Sequence, residues 1–244
     1  MPETHILNSS TRTASSSGWR DAIKTAPGVR QVRELQVYLE NCWFDWRRRV
    51  DTAPEPRGRN SELSEDDLNF RYSPTRPKWV RRTLGHLPIA CRSNYTFIDF
   101  GSGKGRILIM AAEMGFKRVY GIELRRPLHE CACRNFTRVR NGDGPDLVSL
   151  NMDATGYVFP EDNLVLFFFN PFGAEVMAKV LQNLDASLDR RARDVWLVLH
   201  GSLCAHLADQ DPRLRLQSAH PAYRIYRSVF STVSRSKHAR RFPN

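Results

Sequence analysis

Cysteine is sparse in this chain of 244 residues. The five present, at positions 42, 91, 131, 133 and 204, are odd in number and lack any Cys-x-x-Cys spacing. That excludes a small disulfide scaffold and leads us to expect reduced thiols in a cytoplasmic protein. Long apolar runs are missing too: the longest, Leu164–Phe169, has strand length, far below the ~20 residues of a membrane-crossing helix. Glycine and proline, 14 of each, are too few for a collagen-like or low-complexity chain. Acidic residues are the minority charge, 26 against 37 Lys and Arg. The resulting +11 invites a nucleic-acid partner, but the excess is spread along the chain. The tail residues Arg235, Lys237, Arg240 and Arg241 form a basic group without acidic neighbours. A solvated tail is the simpler reading, so a nucleic acid is not the favoured partner.

With 41% apolar residues the chain can bury a full core, and its organisation reads in four parts. Residues 1–28, rich in Ser and Thr and poor in apolar side chains, are expected to be a disordered leader. Residues 29–70 are expected to form a helical extension, because Val32, Leu35, Leu39, Trp43, Trp46 and Val50 recur every three or four positions. A linker around Pro54–Asn60 follows, and Ser64 with the acids behind it suits the start of a short helix. Residues 71–230 read as the main domain and 231–244 as the basic tail. Within the domain, β-rich runs at Tyr95–Phe100, Arg118–Ile122, Leu147–Asn151, Leu164–Phe169 and Val195–Leu199 alternate with helical patterns. Such alternation predicts a parallel sheet covered on both faces. Leu214–Ser218 and Tyr223–Val229 lie too close together for anything but an antiparallel hairpin.

The sharpest motif is Asp99-Phe100-Gly101-Ser102-Gly103-Lys104-Gly105-Arg106, between the first strand and its helix. Glycines there let the backbone turn sharply and lie against a ligand. Lys104 is followed by glycine rather than Ser or Thr, so a phosphate-cradling P-loop is excluded. The Gly101-x-Gly103-x-Gly105 spacing also departs from the Gly-x-Gly-x-x-Gly of dinucleotide sites. Asp99 would repel a pyrophosphate but attract an ammonium group. Glu123, at the end of the second strand, suits two ribose hydroxyls. His129 and Cys133, one helical turn apart, are half of a metal site, and with no second pair of ligands no metal is expected.

These residues resemble the class I S-adenosylmethionine-dependent methyltransferases over about Tyr72 to Arg227. The resemblance implies a doubly wound, Rossmann-like α/β sheet of seven strands in the order 3-2-1-4-5-7-6, the last antiparallel. It implies S-adenosylmethionine as cofactor, with Asp99, Gly101, Ser102, Gly103 and Gly105 around the methionine part, Glu123 on the ribose and Asp153 on the adenine amino group. Asn170-Pro171-Phe172-Gly173, closing the fourth strand, is similar to a shortened Asn/Asp-Pro-Pro-Tyr/Phe motif of amino-group methyltransferases. On that likeness Asn170 with Pro171 would orient an acceptor amine and Phe172 would pack on it, although the motif's second proline is absent here. Tyr72 and Thr75, in the segment before the glycine loop, would line the site as in related bacterial enzymes and the non-SET lysine methyltransferases. His200, at the end of the fifth strand, is the best placed general base if one is used. The expected activity is methyl transfer to an amino nitrogen of a small molecule or protein. The alternatives are a non-catalytic, cofactor-retaining module that binds RNA or protein and, further off, an NAD(P)-dependent oxidoreductase.

Overall fold

In the computed structural model, residues 27–54, 72–140, 144–201 and 203–229 are described. The expected leader, apart from Pro27 and Gly28, lies outside them, as do the expected helix at Ser64 and the basic tail. Five apolar runs form β1 (Tyr95–Phe100), β2 (Arg118–Glu123), β3 (Asp146–Asn151), β4 (Asn163–Phe169) and β5 (Val195–His200), all pairing in parallel. Burial along β1, β4 and β5 is nearly continuous, the mark of strands covered on both faces. The C-terminal hairpin of β6 (Leu214–His220) and β7 (Tyr223–Ser228) adds the only antiparallel pairs among the described residues, β7 lying on β5. The strand order is 3-2-1-4-5-7-6, the order the resemblance implies.

Alternate strand residues feed two cores. Phe97, Val165, Phe167, Trp196 and Val198 pack on one face with Val80 and Leu84 of α2 (Pro77–Gly85), Leu108 of α3 (Arg106–Glu113) and Phe136 of α4 (Arg126–Val139). Ile98, Phe100, Leu166, Phe168 and Leu197 meet Met177, Val180 and Leu184 of α5 (Ala174–Arg190) and Ala205 and Ala208 of α6 (Ala205–Gln210) on the other. The sequence pattern did not single out α6, whose six residues are too few to display a period.

The N-terminal helix α1 (Pro27–Arg48) matches the expected periodicity, yet its apolar stripe is not what holds it to the domain. Val32, Leu35, Leu39, Trp43 and Trp46 each stay more than half exposed, and of the expected stripe only Val50, just past the helix, is buried in the core. Contact is made instead by Glu40, Asn41, Phe44, Asp45 and Arg48, which reach Arg76, Arg106 and Glu113. The reason is electrostatic: Arg106 is only 2% exposed, and a guanidinium removed from water must be supplied with acceptors.

Candidate functional site

The carboxyl ends of β1, β2 and β4 open into a cavity of about 590 Å³, within the usual range for small-molecule sites. Gly101 and Gly103 turn the chain out of β1 with positive φ of 74° and 55°, a region costly for residues bearing a Cβ. Close neighbours add a second constraint: a Cβ at Gly101 would strike Pro171, and one at Gly103 would enter the Tyr72 ring. The loop is pinned to β2 by Gly101 and Ser102 N–H donating to the Ile122 carbonyl at 2.8 and 3.1 Å. Glu123 completes the pinning. Its carboxylate accepts from Gly103 N–H at 2.8 Å and from Arg125 N–H at 2.8 Å, while remaining on the cavity wall.

Behind the loop, α1 and the residues that follow it act as a clamp. Arg106 donates to Asn41, to the Thr52 hydroxyl at 2.7 Å and to the Thr52 carbonyl at 3.1 Å, with Asp45 3.7 Å away. Burial pulls the guanidinium below its ordinary value, and the charge of Asp45 opposes that pull. The Lys104 ammonium donates to Asp51 and to the Ala53 carbonyl, both at 3.1 Å. Asn135 of α4 ties Asp51 and the Lys104 carbonyl together. The Tyr72 hydroxyl donates to the Thr52 carbonyl at 2.9 Å, so the ring lying on Gly103 is itself held. Burial raises the Tyr72 phenol well above its ordinary value.

Of the residues singled out from sequence, Tyr72, Thr75, Gly101, Ser102, Gly103, Glu123, Asp153, Asn170, Pro171 and Phe172 come together on this one cavity. Asp99 and Gly105 do not reach its wall. Asp99, 1% exposed, sits one layer behind the loop with Oδ2 unpartnered, and burial followed by the Glu123 charge raises its carboxyl well above the ordinary range. Gly105 precedes α3 with φ 82° and is a glycine because a Cβ would meet Phe136 at 2.6 Å; it serves helix packing. The Ser102 hydroxyl, unpartnered, fills the space left by Gly121, where a side chain would collide with it. Asp153 caps a short turn, accepting from Thr155 N–H at 2.7 Å and its hydroxyl at 2.8 Å, and these bonds lower its carboxyl.

At the end of β4, Asn170 adopts φ 43°, a left-handed conformation that Asn tolerates better than most residues. Its amide makes no hydrogen bond to the described residues and packs on Gly201, which has no room for a Cβ. His200 is 4% exposed, has neither ring nitrogen partnered among the described residues, and lies among Trp79, Phe167, Phe169 and Tyr223. Burial, with His220 second, lowers its basicity, and it does not line the cavity. His129 bonds Ser149 at 2.8 Å, and no group of three metal-ligating side chains exists among the described residues. Sequence reasoning missed the apolar wall of Leu124, Leu128, Met152, Ala154 and Val176. The 68% exposure of Leu124 beside Glu123 is its clearest structural sign, and no motif announces it.

No protein-family model matches the chain, and no curated protein matches it in sequence. Solved structures similar to it include an RNA methyltransferase from Salinibacter ruber in complex with S-adenosyl-L-homocysteine. That one is 23% identical, covers 64% of this chain and 92% of its own, and has a TM-score of 0.46. Magnesium protoporphyrin IX methyltransferase from Synechocystis PCC 6803 with bound S-adenosylmethionine is 16% identical, covers 82% and 96%, and has a TM-score of 0.43. The strand order in hand, rather than these likenesses, defines the fold. Among the described residues no helix is long and apolar enough to cross a membrane.

Proposed function

We propose that the cavity holds S-adenosylmethionine and that the chain transfers its methyl group to an amino nitrogen. One observation carries this reading: the glycine turn, Glu123 and the Asn170-Pro171-Phe172 turn, 47 or more residues apart between the last two, meet on a single cavity. The residues fit the cofactor chemically. A cradle kept free of Cβ atoms accommodates a closely approaching ligand, and the apolar wall from Leu124 to Val176 suits a purine. The Glu123 oxygens keep lone pairs for ribose hydroxyls beyond the two backbone bonds they accept. Asp153 keeps Oδ2 for an exocyclic amino group.

When bound, S-adenosylmethionine supplies an electrophilic methyl carbon on a positively charged sulfur. The Asn170 amide oxygen, uncommitted among the described residues, accepts a hydrogen bond from the neutral acceptor amine and aims its lone pair. Pro171, seated on Gly101, sets the distance between the acceptor turn and the cofactor loop. Phe172 closes on the acceptor's apolar part. Positioning of this kind supplies most of the rate for a step that needs little acid–base help, consistent with a cavity from which His200 is screened. A small molecule and a protein side chain both qualify as the amine.

The test is isothermal titration of the purified protein with S-adenosylhomocysteine, with NAD as control, followed by transfer of labelled methyl to amine-bearing acceptors. Binding of the first ligand and not the second is the expected outcome. Failure to bind S-adenosylhomocysteine, or binding of NAD, removes the reading.

A further inference from the structure

The outer face of α1 presents an apolar stripe with nothing described against it. Val32, Leu35, Leu39, Trp43 and Trp46 are 57%, 57%, 56%, 59% and 71% exposed. Their spacing of three and four residues puts them in one line about 21 Å long at 1.5 Å per residue. The Trp43 and Trp46 ring centroids lie 5.2 Å apart. From Gln31 to Gln36 every residue is exposed, so the N-terminal half of the helix is largely in water. A helix projecting into water gains little from local hydrogen bonding alone, and contiguous apolar surface of this extent marks an interaction site.

We infer that α1 docks a second copy of this chain, the two helices packing antiparallel along the stripe. Area favours this occupant. The five side chains expose on the order of 600 Å² per copy, so a symmetric pair would cover about 1,200 Å², the lower end of what a stable interface requires. Symmetry needs nothing further, because a two-fold axis brings the same stripe onto itself. Charge selects the direction. The stripe's N-terminal half is edged by Gln31 and Gln36 and carries Arg30, Arg33 and Glu34, whereas its C-terminal end runs into Arg47 and Arg49, Arg48 being held by Glu113. Parallel helices would set Arg47 and Arg49 beside their own copies; antiparallel helices set them against the partner's N-terminal half, where Glu34 offsets one of Arg30 and Arg33. The opposite face of the same helix holds Arg106 through Asn41 and Asp45, so the stripe is free for a partner without releasing the clamp. The inference is independent of the methyltransferase reading.

The experiment is sedimentation of the full-length chain over a concentration series, alone and with Leu39→Glu or Trp43→Glu, both at exposed positions. The expected result is a species of twice the 28.1 kDa chain mass. Each substitution should raise its dissociation constant at least about tenfold, with an unchanged circular-dichroism spectrum. A chain that stays monomeric at about 100 μM, well above the dissociation constants of most specific dimers, overturns the inference. If that monomer binds vesicles of phosphatidylcholine and phosphatidylglycerol, the occupant is a lipid surface. If it does not, and the substitutions lower its melting temperature, the occupant is another part of the same chain. A dimer that survives both substitutions shows that another face pairs.

Discussion

The two walls of the cavity differ in how much of their polar chemistry the protein itself consumes. On the glycine-loop wall, Glu123 is engaged by two backbone N–H groups and Arg106 by Asn41 and Thr52, while the hydroxyls of Thr75 and Ser102 have no partner among the described residues. On the β4 wall, Asn170 holds a left-handed backbone and an amide with no hydrogen bond among the described residues. A wall whose groups bond one another keeps its shape before any ligand arrives. One with open donors and acceptors gains most when a ligand meets them. On the proposed function, the first wall serves a constant ligand, the cofactor, and the second the acceptor that selects the reaction.

The largest effect that would break this contrast comes from the clamp. Arg106→Ala leaves Asn41, Asp45 and Thr52 buried without their cation and should cost about 3 kcal/mol or more of stability, read from a urea unfolding curve. A change within error would mean that α1 does not stiffen the loop. Asn170→Ala should lower turnover about 100-fold, the scale of a misplaced reactant, while S-adenosylhomocysteine affinity stays near the wild-type value. Parallel loss of both quantities would erase the distinction between the walls. Glu123→Ala should weaken S-adenosylhomocysteine binding by about 1.5–3 kcal/mol, the worth of hydrogen bonds to a charged group, as calorimetry can measure.

The smallest effect is a pH dependence from Asp99. Its carboxyl is raised above the ordinary 3.8 by burial and then by Glu123, so the folded chain retains this proton at pH values where the unfolded chain has lost it. The stability it lends is complete below 3.8 and is lost as pH rises from there through the raised folded value. Asp99→Asn should flatten that part of the stability profile in urea melts repeated across pH. An unaltered profile would place the pH dependence elsewhere.

Much of the fold was open to reading because parallel strands buried on both faces must be apolar throughout. Tyr95–Phe100, Leu164–Phe169 and Val195–Leu199 each fall within one residue of the observed strand ends. The cavity turns were legible for a related reason, since Gly101, Gly103 and the Asn170-Pro171 pair are residue types that special backbone conformations demand. Gly121 and Gly201 were not legible as partners of Ser102 and Asn170, because their glycine character answers to side chains 19 and 31 residues away. Asp99 and Gly105 share a motif with residues on the cavity wall, yet spacing alone does not say which members of a loop face the ligand.

The sequence by itself determined the alternation of strands and helices, the antiparallel end of the sheet and the location of the two turns that meet at the cavity. All of these depend on local apolar period and backbone freedom. Only the tertiary structure decided which face of α1 turns inward. Its apolar stripe predicts burial, yet Arg106, at the start of α3, carries a charge that cannot enter the core without acceptors. The side of α1 bearing Asn41 and Asp45 supplies them, leaving Trp43 and Trp46 outside.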